Sequence, residues 1–247
     1  MPEQNLRGQV VLVTGGGHRI GRVIALTFAR AGADVAVNYL SSRAEALQTM
    51  KEIQALGRRA VALRADVSKP AEVRRMFYQV KRQFHHLDVL VNNAGIFFPV
   101  RWDRLSEKDW DRVLGINLKG AFFAAQAAAM MMQARKRGHI INISSLGGLQ
   151  AWPNYMHYCA SKAGNIMLTR CLARALAPRI RVNSIAPGTI LFPDEKRTRA
   201  LRSSIRGTPL RQPGRPEDIA EMALYLAAHG DYITGQVFVV DGGQSIP

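Results

Sequence analysis

Several features are scarce in this 247-residue chain, and each scarcity excludes a class of protein. It has two cysteines, Cys159 and Cys171, which fall in one predicted helix about 18 Å apart, too far for a disulfide. Neither lies near a histidine cluster, so no metal site is predicted. No apolar run reaches the ~20 residues that a membrane span needs. The nearest approach, residues 120–134, is interrupted by Gln126 and Gln133 and is predicted to be a buried or interface helix, so no membrane partner is expected.

Acidic residues are also scarce, with 18 Asp and Glu against 34 Lys and Arg, a net charge of +16. Proteins that recognise nucleic acid usually concentrate positive charge on one face and carry a recognition motif. Here most basic residues are spread singly over predicted helices, so specific nucleic-acid binding is not expected. The chain starts without an apolar signal region, which together with the free thiols predicts a cytoplasmic protein.

Short runs rich in Val, Ile and Leu alternate with longer amphipathic stretches along the whole chain. The runs are apolar along their length, which is typical of strands covered by helices on both faces. The predicted strands are 10–13, 34–38, 60–65, 87–91, 139–144, 181–186 and 236–240. The predicted helices are 19–31, 43–56, 70–84, 106–136 with a break near 115–117, 155–177 and 216–228. This alternation predicts a doubly wound, parallel α/β sheet of seven strands. Because no linker or repeat divides it, residues 1–247 are predicted to form a single domain.

A glycine-rich stretch, residues 14–21, joins the first strand to the first helix. Glycines at such a turn let the backbone approach a pyrophosphate, which the helix N-terminus then stabilises. Tight turns need glycine for other reasons too. Its place in the first βαβ unit favours dinucleotide binding.

The end of the second strand bears on which dinucleotide is bound. Folds specific for NAD usually place an Asp or Glu there for the ribose 2′-hydroxyl, but residues 38–43 contain no acid. Arg19 and Arg43, with Ser41 and Ser42, could instead bind a 2′-phosphate, which arginine matches as a bidentate donor. The alternative is that these are ordinary loop and helix-cap residues. The sequence predicts NADPH/NADP+ as cofactor.

Tyr158 and Lys162 are four residues apart in a predicted helix and therefore share a face. A nearby ammonium is expected to lower the pKa of the Tyr158 phenol and make it a useful proton donor. Ser145 follows the strand 139–144. Strand ends at this sheet edge face the ligand crevice, so the Ser145 hydroxyl is predicted to meet the same substrate oxygen.

In order and spacing, these motifs resemble the short-chain dehydrogenase/reductase family over nearly the whole chain. The resemblance also rests on Asn-Asn-Ala-Gly at 92–95, Asn117, Pro-Gly at 187–188 and Asp-Gly-Gly at 241–243. It implies a Rossmann-type fold, with Asn117, Ser145, Tyr158 and Lys162 as a catalytic tetrad.

The resemblance further implies which residues contact the cofactor. Asp66 would contact adenine, Asn93 would support the cofactor, and Ile190 would pack on the nicotinamide. Phe97 would contact substrate beside Ser145 and Tyr158. The full set of implied cofactor residues is Gly15, His18, Arg19, Ile20, Gly21, Tyr39, Ser41, Ser42, Asp66, Val67, Asn93, Ala94, Gly95, Tyr158, Lys162, Pro187, Gly188 and Ile190.

One departure from the family pattern concerns the substrate. The family's middle glycine is replaced by Arg19, a variant of the pteridine reductase branch, and Tyr39 and Phe97 lean the same way. Those reductases, however, carry Asp at Ser145 and Ser at Gly95. A serine hydroxyl suits a ketone oxygen, whereas an acid helps to protonate a pterin nitrogen. The sequence therefore predicts an NADPH-dependent carbonyl reductase similar to 3-oxoacyl-thioester reductases. A pteridine or dihydrofolate-type reductase is the alternative, and a non-catalytic cofactor-binding or nucleic-acid-associated protein is a remote one.

Segment 189–213 is predicted to be a substrate lid. Arg199, Arg202 and Arg206 follow helical spacing and share one face, which favours an anionic substrate. A solvated charged face is the alternative. The family also implies a homotetramer, and the helices at 118–134 and 155–177 are rich in small residues that suit close helix contacts.

Overall fold

The structure, a computed structural model, describes residues 6–192, 194 and 198–246, without the side chains of residues 199 and 200. Seven strands form one sheet in the order β3-β2-β1-β4-β5-β6-β7, and every neighbouring pair is parallel. The strands are β1 (Val10–Val13), β2 (Asp34–Tyr39), β3 (Ala60–Arg64), β4 (Val89–Asn92), β5 (Gly138–Ile143), β6 (Ile180–Pro187) and β7 (Val237–Val240). This confirms the predicted Rossmann-type sheet.

Helices connect successive strands and cover both faces of the sheet. They are α1 (Arg19–Arg30), α2 (Arg43–Ala55), α3 (Pro70–Phe84), α4 (Glu107–Leu114), α5 (Ala121–Gln133), α6 (Met156–Leu176), α7 (Arg199–Gly207) and α8 (Pro216–His229). One face packs against α1 and α8, and the other against α3 and α5. The alternation along β1 shows this division, because Val11 and Val13 join the first core while Val10 and Leu12 join the second.

The structure corrects three details of the predicted elements. The break expected near 115–117 is a π-helical segment, Gly115–Gly120, that joins α4 to α5. Helix α7 was not among the predicted helices, although the helical spacing of Arg199, Arg202 and Arg206 agrees with it. Strand β4 begins at Val89 instead of residue 87. Just before it, the Asp88 carboxylate accepts a hydrogen bond from the Val10 amide at 2.9 Å. A side chain thus takes the place of the backbone carbonyl that would accept this bond in a regular sheet.

The helical stretch Glu107–Gln133 is long and apolar enough to cross a membrane by length and composition alone. Its alanines Ala124, Ala125 and Ala128 are fully buried against the sheet. Such a packed face is typical of a core helix, which agrees with the burial predicted for residues 120–134.

Candidate active site

The glycine-rich turn lies between the carboxyl end of β1 and the start of α1. Gly15 adopts a φ of +61°, and a Cβ placed on Gly21 would lie 2.2 Å from the Gly15 carbonyl oxygen. The first turn of α1 therefore packs directly on this turn, and only glycine fits at Gly21. His18 is the exposed N-cap of α1, and Ile20 is half-buried behind it. The arrangement has the form of a backbone cradle for an anion at a helix N-terminus.

Asn93 and Thr14 hold this turn in place. The Asn93 Nδ2 donates to the carbonyls of Thr14 and Gly15 at 3.0 and 3.1 Å. The Thr14 Oγ1 accepts the amides of Asn93 and Ala94, each at 3.0 Å. Sequence reasoning missed Thr14, although a threonine before three glycines is a natural partner for bare amides.

Asn38 occupies the end of β2, where the sequence was notable only for lacking an acid. It is 2% exposed. Its Oδ1 accepts the Gly15 amide at 3.2 Å, and its Nδ2 donates to the carbonyls of Leu63 and Ala65 at 3.2 and 3.1 Å. One neutral side chain thus ties β2, the segment at the end of β3 and the glycine turn together.

The cationic group expected beside a 2′-phosphate lies at the edge of this cradle. Arg19 has a φ of +50°, the left-handed region where a residue other than glycine costs ~1–2 kcal/mol. Its guanidinium carbon lies 4.6 Å from the Phe192 ring centroid. Ser42 is the N-cap of α2 without a side-chain cap hydrogen bond, and Ser41 and Arg43 beside it are exposed. These hydroxyls and cations are therefore accessible from solvent.

Of the further predicted cofactor residues, Tyr39 ends β2, and Asp66 and Val67 follow β3. One Asp66 oxygen accepts the Ser68 amide and hydroxyl at 2.9 and 2.7 Å, and the other lies 3.9 Å from Lys69 Nζ. Tyr39 and Val67 are 8% and 7% exposed, so they offer a ligand little side-chain surface.

The end of β6 supplies the remaining predicted cofactor residues. Pro187 ends the strand, and a Cβ on Gly188 would lie 2.7 Å from the Cα of Asp241. Ile190 forms an isolated bridge with Gly214. The segment after β6 therefore packs tightly against the segment after β7.

Ser145, Tyr158 and Lys162 meet where β5 ends. Ser145 caps the short 3-10 helix Leu146–Gly148; its Oγ accepts the Gly147 amide at 3.1 Å, and its side chain acts on the Tyr158 hydroxyl. The Lys162 Nζ donates to the Ile143 carbonyl at 2.7 Å and lies 5.8 Å from the Tyr158 ring centroid. The three predicted side chains are brought together.

The expected lowering of the Tyr158 pKa is wrong for this structure. Burial raises the pKa of Tyr158 to about 12, although the hydrogen bond from Ser145 opposes the rise. Burial lowers the pKa of Lys162 to about 8. The Lys162 ammonium is directed to the Ile143 carbonyl, so desolvation dominates at both groups.

Asn117 lies in the π-helical segment and is 1% exposed. Its Oδ1 accepts the Ile96 amide at 2.9 Å, and its Nδ2 donates to the Ile96 carbonyl and the Ser161 hydroxyl, both at 3.1 Å. Asn165, which sequence reasoning missed, donates to the Asn117 carbonyl at 3.2 Å. A Cβ on Gly95 would lie 3.3 Å from Asn117 Oδ1. Hydrogen bonds thus fix both ends of Asn117 beside the Ser145 cluster.

Comparison with known proteins shows relatives that cover nearly the whole chain. A family model described as enoyl-(acyl carrier protein) reductase matches residues 16–245. The 3-oxoacyl-[acyl-carrier-protein] reductase FabG of Staphylococcus epidermidis is 42% identical over 239 residues, covering 94% of this chain and 97% of that protein. The chain belongs to the short-chain dehydrogenase/reductase family. Within this family it is a FabG-like oxidoreductase.

Solved structures of the short-chain dehydrogenase/reductase family are similar along their full length. A short-chain dehydrogenase from Burkholderia cenocepacia in complex with NADP has a TM-score of 0.92 and 36% identity, covering 97% of this chain and 99% of that chain. A blue fluorescent protein from a metagenomic library in complex with NADPH has a TM-score of 0.91 and 38% identity, covering 98% and 99%. The pteridine reductase alternative gains no support from these relatives.

Aromatic side chains flank the tyrosine of this short-chain dehydrogenase/reductase. The Phe97 ring stacks on Tyr155 with centroids 4.4 Å apart, and it meets the Tyr158 ring at 4.7 Å and the Trp152 ring at 6.3 Å. Phe97 is 55% exposed, so part of its surface is open to a ligand. The sequence indicated Phe97 but not Trp152 or Tyr155. The positions of these two rings depend on the turn before α6.

The predicted lid of this family member is tied to the rest of the site. The Thr189 hydroxyl hydrogen-bonds with Ser204 of α7 at 2.9 Å and donates to the Gln244 Oε1 at 3.0 Å. Arg202 and Arg206 are exposed. The Arg199 side chain, the third arginine of the predicted lid, lies outside the described residues.

Proposed function

We propose that this protein is an NADPH-dependent reductase that converts the ketone of a 3-oxoacyl thioester to an alcohol. The observation that carries the proposal is the half-buried Tyr158 phenol, held protonated by its raised pKa, with the neutral hydroxyl of Ser145 acting on it. A neutral pair suits a carbonyl oxygen that gains negative charge, because an ionised carboxylate at that place would repel it. The similarity to FabG supports the thioester class.

The glycine turn fits the cofactor. A side chain at Gly21 would fill the space against Gly15, and the amides there would bind the pyrophosphate at the N-terminus of α1. Arg19, Ser42 and Arg43 would bind the 2′-phosphate that distinguishes NADPH from NADH. The other residues assigned above to cofactor contacts, from Asp66 to Ile190, would line the same cleft.

The chain's own residues would then donate the proton and bind the substrate oxygen. When bound, the reduced nicotinamide supplies a hydride to the carbonyl carbon. The Tyr158 hydroxyl donates its proton to the carbonyl oxygen, while Ser145 donates a hydrogen bond to that oxygen. Lys162 would bind the nicotinamide ribose, and Asn117 would place a water that returns a proton to Tyr158. Phe97 packs on the substrate beside the reacting carbon.

The larger organisation belongs to the same proposal. Residues 1–247 would act as one NAD(P)-binding domain in the cytoplasm, assembled as a homotetramer through α5 and α6. Segment 189–213 would close over the substrate, and its arginines would attract an anionic thioester. Added salt should then lower kcat/KM for a phosphopantetheine-type thioester more than for a neutral ketone. Equal salt dependence would remove the steering role of this segment.

A comparison of substrates tests the function. The purified protein is assayed by NADPH oxidation with one 3-oxoacyl thioester, one neutral diketone and one dihydropterin. We expect kcat/KM to be highest for the thioester. A higher value for the dihydropterin would overturn the proposal, and no turnover of any substrate would favour a non-catalytic role.

A further inference from the structure

A cavity lies at the amino edge of the sheet, opposite the candidate active site at the carboxyl edge. Its volume is about 370 Å³, within the ~300–1,000 Å³ range of small-molecule sites. It is lined where β4, β5 and β6 begin, by the turn after α5, and by Ala227 of α8. None of its lining residues belongs to the proposed catalytic or cofactor set.

The lining of this cavity carries a surplus of positive charge. Its charged residues are Lys136, Arg137, Arg179, Arg181, Asp88 and Asp231, four cations against two carboxylates. His139, also in the lining, adds no charge. Burial and the Arg181 charge hold the pKa of His139 well below its usual value.

The buried carboxylate is already occupied by other partners. The Asp88 Oδ2 accepts the Val10 amide at 2.9 Å and lies 3.2 Å from His86 Nε2. The Asp88 Oδ1 lies 3.6 Å from Arg135 and 3.8 Å from Arg137. Asp88 is therefore unable to neutralise the remaining cations of the cavity.

Arg181 is the fixed cation of the lining. Its side chain is 18% exposed, and its Nη1 donates to the Leu226 carbonyl at 3.0 Å. Its ionic partner Asp231 is 3.6 Å away and 95% exposed, so water screens that pair. Burial lowers the pKa of Arg181, and Asp231 opposes this only in part. The guanidinium is thus held in a partly desolvated place with a weak counter-charge.

Lys136 and Arg179 complete the cationic side of the cavity. Within the part of the chain that the structure describes, neither forms an ion pair with a carboxylate. Both are exposed, so they can turn toward a ligand.

We propose that this cavity binds a small organic or inorganic anion of two negative charges, with a phosphate group as the chemistry that it matches. The surplus of two positive charges sets the charge of the ligand. Guanidinium groups favour phosphate because their planar N–H donors bind its oxygens in pairs. The site is independent of the proposed reduction and needs no turnover to be observed.

Inorganic phosphate is the probe, because it is small, carries two negative charges at mildly alkaline pH and has no base. Calorimetric titrations at fixed ionic strength are made with saturating NADP+, so that the glycine turn does not compete. The variant K136Q/R179Q removes two cations from the cavity. The matched control K51Q/R74Q removes one Lys and one Arg from exposed positions on α2 and α3, with the same change in net charge.

We expect one saturable site, at least tenfold weaker in K136Q/R179Q and changed less than twofold in K51Q/R74Q. Hydrogen exchange should slow at 136–139 and 179–181 on binding, which locates the ligand even if NADP+ itself fails to bind. Equal weakening of both variants would show general attraction to a basic protein and overturn the site. Absence of saturable binding, or protection confined to residues 14–21, would overturn it as well.

Discussion

The two edges of this sheet hold polar groups in opposite ways. At the carboxyl edge, the side chains of Asn38, Asn117 and Lys162 are buried and form hydrogen bonds with backbone groups. At the amino edge, Arg137 is 66% exposed, and the Arg181 side chain relies on a carboxylate that is almost fully exposed.

The two edges differ in how firmly their polar groups are held, and this suits them to different tasks. Buried neutral donors hold fixed directions and need no counter-ion, which suits a reaction in which charge develops at one oxygen. Half-exposed cations hold charge but little direction, which suits reversible binding of an anion. Substitutions at one edge should therefore change turnover, and those at the other should change anion binding.

The largest expected effect comes from Tyr158→Phe. Loss of the proton donor should lower kcat by roughly 10²–10⁴-fold, with NADPH affinity nearly unchanged because the ring remains. Single-turnover kinetics and a binding titration measure the two quantities. Retention of more than about a tenth of the wild-type kcat would contradict general acid catalysis by this phenol. Phosphate binding at the amino edge should not change.

Ser145 gives the next effect in size. Ser145→Ala should raise the barrier to ketone reduction by ~2.7–4 kcal/mol, the cost of one lost oxyanion donor. Ser145→Asp should be at least as damaging, because its charge opposes the developing alkoxide. The measurement is kcat/KM for one 3-oxoacyl thioester. A gain in dihydropterin reduction by the Asp variant, without loss of thioester reduction, would contradict the role of the hydroxyl.

Arg19→Ala should reduce the preference for NADPH over NADH. One charge-assisted phosphate contact contributes ~1.5–3 kcal/mol, and the exposure of Arg19 places the expected change at the lower end. The loss should fall on the KM for NADPH, since the contact is equal in ground and transition states. Arg19→Gly is the control, because glycine relieves the left-handed backbone while also removing the cation. Equal kcat/KM for both cofactors in the wild type would refute the assignment.

The last effect concerns stability instead of turnover, because the lowered pKa of Lys162 makes the free energy of unfolding depend on pH. Its folded pKa is about 8 against the ordinary 10.5, so between these values the unfolded chain holds a proton that the folded protein has released. The free energy of unfolding contributed by this group should therefore rise as pH increases from about 8 to about 10.5. Urea unfolding at both pH values should show this rise in the wild type and not in Lys162→Met. An equal pH dependence in both proteins would contradict the burial cost.

Tyr158 acts with the opposite sign at higher pH. Its folded pKa of about 12 exceeds the ordinary 10.0, so its contribution is present below about pH 10 and is lost as pH rises toward 12. The two groups together predict a maximum of stability on the alkaline side, which Tyr158→Phe should extend to higher pH.

Local patterns in the sequence were sufficient for the fold and for most of the site. Parallel strands read as apolar runs because both faces are covered, and their carboxyl ends fall at one edge, so residues after separate strands could be grouped without coordinates. The spacing of Tyr158 and Lys162 within one helix needs no tertiary information. The chain alone therefore grouped Ser145, Tyr158 and Lys162, which the structure brings together at the end of β5.

Tertiary structure decided what depends on contacts between distant segments. Asn38 joins the glycine turn only because β2 lies beside β1, and the Tyr158 pKa rises because neighbouring segments exclude water. The basic cavity joins residues from Gln9 to Asp231 that share no motif. Hydrogen-bond geometry and desolvation depend on three-dimensional packing, whereas alternation and spacing are properties of the chain. The sequence by itself determined the sheet and the order of the proposed site residues along the chain, whereas packing decided how their pKa values shift and which charged residues meet at the opposite edge.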